Sequence, residues 1–471
     1  MATVISTPPP ANDPLMQWLD GLPMLPGVRP LDRMPPSLVR STPRARYRRQ
    51  APPGEAQAHA PQQDIFSLVR EAGVLRWRAG ASAQLAPIGP RLGNGGRAAR
   101  AALPSGSVVK QFAFERLPAS KVYEALTALD RTLTPQAVFT GSASSANGLR
   151  RLRHGVLEPF LDPSRAGGKK VLLLIHGTFS NSESIVSAGL QSKPAGRELL
   201  QDAEKRYDLV LAYDHPTLSV SPMLNAFDLA ALLRPAPAQL DIVCHSRGGL
   251  VARWFCEAYA EAATRRRVVF VGAPLAGTSL AAAPSLKNAL DLLTNIADAL
   301  RGAGDLVGAN QLFTAAGGLL RVVGAVTGAV LNTALLDAAI ALVPGLDAMS
   351  RVGNNQELSR LRTNTGSADF SSGQVRYFAI CSNFEPQAIG WNFLRLFSQP
   401  AARLGDFAAD RIFTGPNDLV VDTSSMAEVA DSRLITLAHD FKTNDRVHHV
   451  NYFVQPETVR AIRTSLEIKS S

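Results

Sequence analysis

The stretch Leu240-Asp241-Ile242-Val243-Cys244-His245-Ser246-Arg247-Gly248-Gly249-Leu250-Val251 decides how this chain folds. Its first half is an apolar run of strand length. Its second half continues to Ala263 (GGLVARWFCEAYAEAA) and reads as a helix. Only Ser246 and Arg247 stand between them. A serine on so abrupt a strand-to-helix turn sits on a strained backbone that lifts its hydroxyl clear of the sheet. The turn calls for small residues two before and two after the serine, because strand and helix backbones pass close together. Gly248 meets that need. Cys244 stands where the G-x-S-x-G pattern has Gly, and Cys is among the smallest alternatives.

The neighbouring segments predict the rest of a sheet. Val171–Ile175 (VLLLI), Asp208–Tyr213 (DLVLAY) and Val268–Gly272 (VVFVG) are short apolar runs, as expected of strands covered on both faces. Helical segments alternate with them. One is opened by Ser221 as N-cap with Pro222 at the first helical position, and a last one follows Pro456. Strands and helices alternating in this way predict an α/β fold, a doubly wound and mostly parallel sheet. The rhythm breaks over 280–350. There Leu286, Leu290, Leu293, Ala297 and Leu300 share a helical face, with Lys287, Asp291, Asp298 and Arg301 on the polar side. This predicts helices inserted between two strands, with the sheet resuming at Val375–Cys381.

A serine hydroxyl is a weak nucleophile without a base, an orienting acid and donors for an oxyanion. The loop after the first strand, His176-Gly177-Thr178-Phe179-Ser180, offers the Thr178 N–H, and Arg247 N–H, directly after the serine, is the second donor. His176 reads as a buried brace of that loop. On a turn of this type the acid and then the base follow the serine in the chain. Asp418, in GPNDLVV, is the first choice for the acid, with Asp422 and Glu385 as alternatives. The base is sought in DRVHHVNYF. Adjacent side chains on an extended loop point in opposite directions, so one of the pair His448 and His449 serves, and His449 is preferred. His439 is a third candidate. His154 and His215 precede the serine and read as ordinary surface or structural residues.

Taken together, LLLIHGTFS, IVCHSRGG, VGAPLAGTS, GPNDLVV and HHVNYF resemble a lipase-like branch of the α/β-hydrolase superfamily. They are also similar to a group of bacterial proteins whose hydrolase domain carries HGTFS and a closing H-x-N-Y-F. In that group the His four residues before the Phe is the base, which implies His449. The resemblance covers roughly 168–279 and 351–455, with Cys244 as its departure. It implies an α/β-hydrolase core, placed over 151–279 and 351–471; the helical cap over 280–350 and the α+β extension over 63–150 lie outside it and are read from the residue pattern. It also implies a serine esterase acting through an acyl-enzyme on Ser246. The apolar cap favours a small-molecule ester or lipid with a hydrophobic acyl group. The alternatives are an acyltransferase on the same fold and a non-catalytic binding module. Some related lipases hold calcium, but no Asp cluster here argues for it, and neither a cofactor nor a metal is expected.

Composition sets the outer bounds. Of a net charge of +10, the first hundred residues supply +7, with 13 arginines against 6 acidic residues. Residues 1–62, rich in Pro and Arg, read as a disordered arm. A weak contact of this arm with an anionic surface is its second reading, and no nucleic-acid motif supports a nucleic-acid partner. Cys244, Cys256 and Cys381 form no CxxC pair, which suits a reducing compartment. The first thirty residues lack a basic start followed by an apolar run, so a cytoplasmic location is the expectation. The uncharged run Val322–Leu336 is about 15 residues, short of the roughly 18–20 needed to span a bilayer, and no transmembrane span is predicted.

Overall fold

In the computed structural model the described residues are 14–22, 28–30, 63–71, 73–81, 107–115, 121–137, 147–260, 264–281, 286–327, 343–351, 355–364, 374–387, 413, 415–431 and 433–469. Part of the expected arm has structure. Pro14–Gly21 is a helix (α1), with Leu15, Leu19 and Leu22 buried, and Val28–Pro30 (β1) pairs with Phe112–Phe114. The apolar residues Leu15, Trp18, Leu19 and Leu22 fall on one helical face, a period hidden among the surrounding prolines. The Arg44–Arg49 cluster lies outside the described residues. β1 joins β2 (Gln63–Glu71), β3 (Val74–Ala81) and β4 (Ser107–Glu115) in an antiparallel sheet of order β1-β4-β2-β3. Helix α2 (Val122–Leu133) follows, and it buries Val122, Leu126 and Leu129 on one face.

The main sheet has eight strands. They are β5 (Leu149–Arg153), β6 (Val156–Pro159), β7 (Lys170–Ile175), β8 (Leu209–Tyr213), β9 (Gln239–His245), β10 (Arg265–Val271), β11 (Val375–Phe384) and, after a short hairpin of β12 (Glu428–Ala430) and β13 (Arg433–Leu434), β14 (Thr436–Asn444). Their order is β14-β11-β10-β9-β7-β8-β5-β6. Every pairing from β14 to β8 is parallel, and the β5–β6 hairpin closes the sheet antiparallel. The apolar runs are explained by burial on both faces. Val171, Leu173 and Ile175 feed one core, while Leu172 and Leu174 feed a second. Helices α3 (Ser182–Val186) and α4 (Pro194–Arg206) contribute to the second core with the closing helix. Helices α5 (Pro222–Leu232) and α6 (Gly248–Trp254) pack in the first. This is the α/β-hydrolase architecture.

Between β10 and β11 run α7 (Leu286–Gly302), α8 (Leu306–Thr327), the single turn α9 (Pro344–Asp347) and α10 (Gln356–Asn364). The closing helix α11 (Pro456–Leu466) begins as expected. The polar side of α7 departs from expectation. Asp291 is fully buried, because α7 lies along the edge strand β3. Trp77 N–H donates to Asp291 Oδ1 at 2.6 Å, and Leu75 N–H to Asn295 Oδ1 at 2.9 Å. Asn295 Nδ2 returns a bond to Leu75 O at 2.6 Å, and Trp77 Nε1 reaches Thr294 Oγ1 at 3.1 Å. Polar side chains of a helix thus satisfy the open hydrogen-bonding groups of a sheet edge. Trp18 of α1 stacks on Phe313 of α8, with ring centroids 4.9 Å apart. The N-terminal elements therefore pack on the inserted helices. Among the described residues, no helix is long and apolar enough to cross a membrane.

Candidate active site

β9 ends at His245 and α6 begins at Gly248, with Ser246 between them at φ +53°. A non-glycine residue in the left-handed region costs about 1–2 kcal/mol, so the surroundings must hold it there. They do so by hydrogen bonds from Ser246 N to Val271 O (3.1 Å) and from Gly249 N to Ser246 O (2.9 Å). The steric demand of the turn falls after the serine. A Cβ on Gly248 would lie 2.5 Å from His176 O and 2.6 Å from Ile175 O. Cys244, fully buried, points into the core with its Sγ 3.5 Å from Val269 O, so the missing glycine leaves no clash there. Gly177 serves the approach from the opposite side, since a Cβ there would sit 2.6 Å from Ser246 Cβ.

Two later loops bring Asp418 and His449 together. Asp418, with no exposed surface, lies in the loop before the β12–β13 hairpin. Its Oδ1 accepts from Val420 N (3.1 Å) and Val421 N (2.8 Å). Its Oδ2 faces His449 Nδ1 at 2.9 Å and accepts from Tyr452 OH at 3.0 Å. A carboxylate only accepts, so Nδ1 carries the proton and Nε2 of His449 keeps its lone pair. A backbone bond from His449 N to Asp418 O (3.0 Å) locks the two loops in register. His449, Ser246, His245 and Thr178 all line one cavity beneath the inserted helices.

The alternatives lie elsewhere. Asp422 binds Ser279, accepting from its N–H at 2.8 Å and its hydroxyl at 2.9 Å, and so fastens the start of the insertion. Glu385 is exposed and accepts from Asn383 Nδ2 at 3.0 Å. His448 turns away from His449 and lies 3.5 Å from Asp305 Oδ2, at the bend between α7 and α8. His439 is on the edge strand β14, its ring against Phe441. His154 sits in the exposed β5–β6 turn, and His215 is buried with its ring centroid 4.1 Å from that of His176.

The oxyanion candidates flank the serine. Thr178 lines the cavity, and its hydroxyl points to Met349 Sδ at 3.6 Å. The Arg247 side chain is fully buried and turned away. Its Nη2 donates to Val220 O (2.5 Å) and Nε to Gly345 O (3.4 Å). Burial pushes its pKa down to about 10, against the pull of Asp130. His176 Nδ1 bonds Gly177 O at 2.9 Å and its Nε2 accepts from His215 N at 3.2 Å, a neutral brace for this loop. Its pKa is lowered, burial outweighing the attraction of Asp214.

Two residues of the site carried no role in the sequence reading. His245 Nε2 donates to His449 O at 2.8 Å, tying the elbow to the His449 loop. Burial, and then the neighbouring His449, push its pKa down to about 3, so it stays neutral. Its signal was its place directly before the serine. Tyr452, within HHVNYF, is the second donor to Asp418 Oδ2.

A family model described as a domain of unknown function (DUF7379) matches residues 153–467. The chain belongs to the DUF7379 family. The match opens in the β5–β6 hairpin and ends in the segment closing α11, so the whole DUF7379 region contains Ser246, Asp418 and His449, while the small sheet and α2 precede it. No curated protein matches the chain. Among solved structures, Bacillus licheniformis lipase BlEst2 in mature form is similar at 14% identity and TM-score 0.34, covering 64% of this chain and 93% of that one. Lipase 1 from Pelosinus fermentans is similar at 13% identity and TM-score 0.37, covering 64% and 99%. A hydrolase from Oleispira antarctica is similar at 14% identity and TM-score 0.32, covering 64% and 90%.

Proposed function

We propose that this chain is a serine hydrolase of carboxylic esters with hydrophobic acyl groups, working through an acyl-enzyme on Ser246. The observation that carries the proposal is the 2.9 Å bond between Asp418 and His449 Nδ1, in the cavity onto which Ser246 opens from a left-handed elbow. His449 Nε2 takes the proton of the Ser246 hydroxyl as Oγ attacks the ester carbonyl carbon. The oxyanion that forms is held by the Thr178 and Arg247 N–H groups. Collapse breaks the bond to the alcohol oxygen, which takes the proton back from His449. A water, deprotonated by His449, then attacks the acyl carbon and releases the carboxylic acid and free Ser246.

The lining supports the acyl preference. Leu280, Leu293, Leu312, Leu319, Val450 and Phe453 form much of the cavity wall. Each buried CH₂ of an acyl chain contributes up to about 0.8 kcal/mol. Hydrolysis of p-nitrophenyl esters of increasing chain length tests the proposal. The octanoate should exceed the acetate in kcat/KM by about tenfold or more. Ser246→Ala should abolish turnover and labelling by a fluorophosphonate. Wild-type turnover in Ser246→Ala would overturn the mechanism, and a preference for acetate would overturn the substrate class.

A further inference from the structure

Asp130 lies in the last turn of α2, upstream of the DUF7379 match, and is fully buried. Its carboxylate accepts from five donors in one loop between β8 and α5. They are Thr217 N (2.8 Å) and Oγ1 (3.2 Å), Leu218 N (3.1 Å), and Ser219 N and Oγ (both 2.7 Å). Since a carboxylate can only accept, the Thr217 hydroxyl proton points to Asp130 and its lone pair is left for another donor. That donor is Phe179 N, 3.3 Å away, in the peptide directly after Thr178. Phe179 is itself held at φ +54°. The end of α2 grips the same loop a second time, because Leu133 O accepts from Asn181 Nδ2 at 3.0 Å while Asn181 Oδ1 caps α3. The residue after Ser219, Val220, is the carbonyl partner of Arg247.

We infer that Asp130 is a positioning residue for the oxyanion side of the site: through the Thr217 hydroxyl it orients the Phe179 N–H, and with it the Thr178 peptide beside Ser246. The inference rests on the serine-hydrolase reading above. Asp130 touches no reacting atom. The segment preceding the family region thereby becomes part of the working site.

The test uses the full chain with p-nitrophenyl butyrate, and counts active sites by fluorophosphonate titration. Thr217→Val keeps the β-branched shape and removes the hydroxyl, and Thr217→Ser restores the hydroxyl. Thr217→Val should lower kcat per titrated site about tenfold with little change in KM, because a displaced donor acts in the transition state. Thr217→Ser should return kcat to near the wild-type value, and Asp130→Asn should match Thr217→Val. If Thr217→Val only reduces the number of titratable sites, with kcat per site unchanged, the role of Asp130 is structural and the inference is overturned. An inactive Ser246→Ala beside a fully active Thr217→Val overturns the inference and leaves the hydrolase standing. An active Ser246→Ala overturns both.

Discussion

The base side of the site and the roof above it are held by hydrogen bonds of very different reach. Asp418 and His449 are 31 residues apart, and each sits in a short string of recognisable turn residues. Trp77 and Asp291 are 214 residues apart, Leu75 and Asn295 220, and each pair joins a sheet edge to a helix whose own pattern says nothing about the other. Both arrangements bury carboxylates, and both satisfy them with donors. The first orients one imidazole. The second seats α7 on a separate small sheet, and α7 walls the cavity together with α8. Orientation of His449 and placement of the cavity wall are thus carried by separate networks, and substitutions can separate their effects.

The largest effect is expected on the base side. His449→Ala should lower kcat about 10⁴-fold or more, the loss typical of removing the base of a nucleophile–base pair. His448→Ala, which loses contacts with Asp305, Asn451 and the Phe384 ring but none with Ser246 or Asp418, should stay within about fivefold of wild type. Ester hydrolysis rates of the two purified variants decide this, and the opposite ranking would assign the base to His448.

Acid should separate the regions next. His176 and His215 are buried and His245 is half-buried around the elbow, and desolvation lowers the pKa of each below the ordinary 6.5, to about 3 for His245. The unfolded chain therefore binds protons below pH 6.5 that the folded chain refuses. Stability is fully present above that pH and falls as pH drops from 6.5 toward 3, by up to about 1.4 kcal/mol per pH unit for each histidine. Denaturant midpoints between pH 7 and 5 should fall, and His245→Gln should flatten the slope. A slope that is the same with and without His245 would place its protonation outside folding.

What could be read from the sequence divides along the same line. The elbow and the Thr178, Asp418 and His449 loops are short strings that residue type and spacing put forward, with the resemblance favouring His449 over His448, and the structure brings Asp418 and His449 to 2.9 Å. The period of α7 showed which residues share a face, but not what meets that face. Asp291 was accordingly read as part of a polar surface, although it is buried on β3. α1 carried its period openly in Leu15, Trp18, Leu19 and Leu22, but the surrounding prolines dominated the reading. β14, at the sheet edge, has no apolar run because its side chains are largely half-buried or exposed, and it went unnoticed for that reason. His245 acts through a ring nitrogen on a carbonyl 204 residues away, a link that no spacing rule contains.

Asn295→Ala tests the roof. It leaves the Leu75 N–H and C=O without their partners in a buried edge, at about 1–3 kcal/mol for each group left unsatisfied. The denaturant midpoint should fall accordingly, while kcat per fluorophosphonate-titrated site stays near wild type for the acetate ester. A loss of kcat at unchanged stability would show that the roof also orients the reacting groups and would break the separation.

The smallest effect sharpens the other side of the comparison. Tyr452 OH is the second donor to Asp418 Oδ2, and it is buried beside the bond that orients His449. Burial and the adjacent Asp418 carboxylate raise its pKa well above 10, so it remains a donor throughout the working pH range. Tyr452→Phe keeps the ring and leaves the carboxylate with three donors in place of four. The loss of one hydrogen bond to a charged acceptor corresponds to about 1.5–3 kcal/mol. Part of it should surface as a several-fold fall in kcat, because Oδ2 is then free to tilt away from Nδ1. Counting kcat per fluorophosphonate-titrated site separates the two roles. A fall in thermal stability with kcat per titrated site unchanged would make Tyr452 a packing residue with no part in orienting His449.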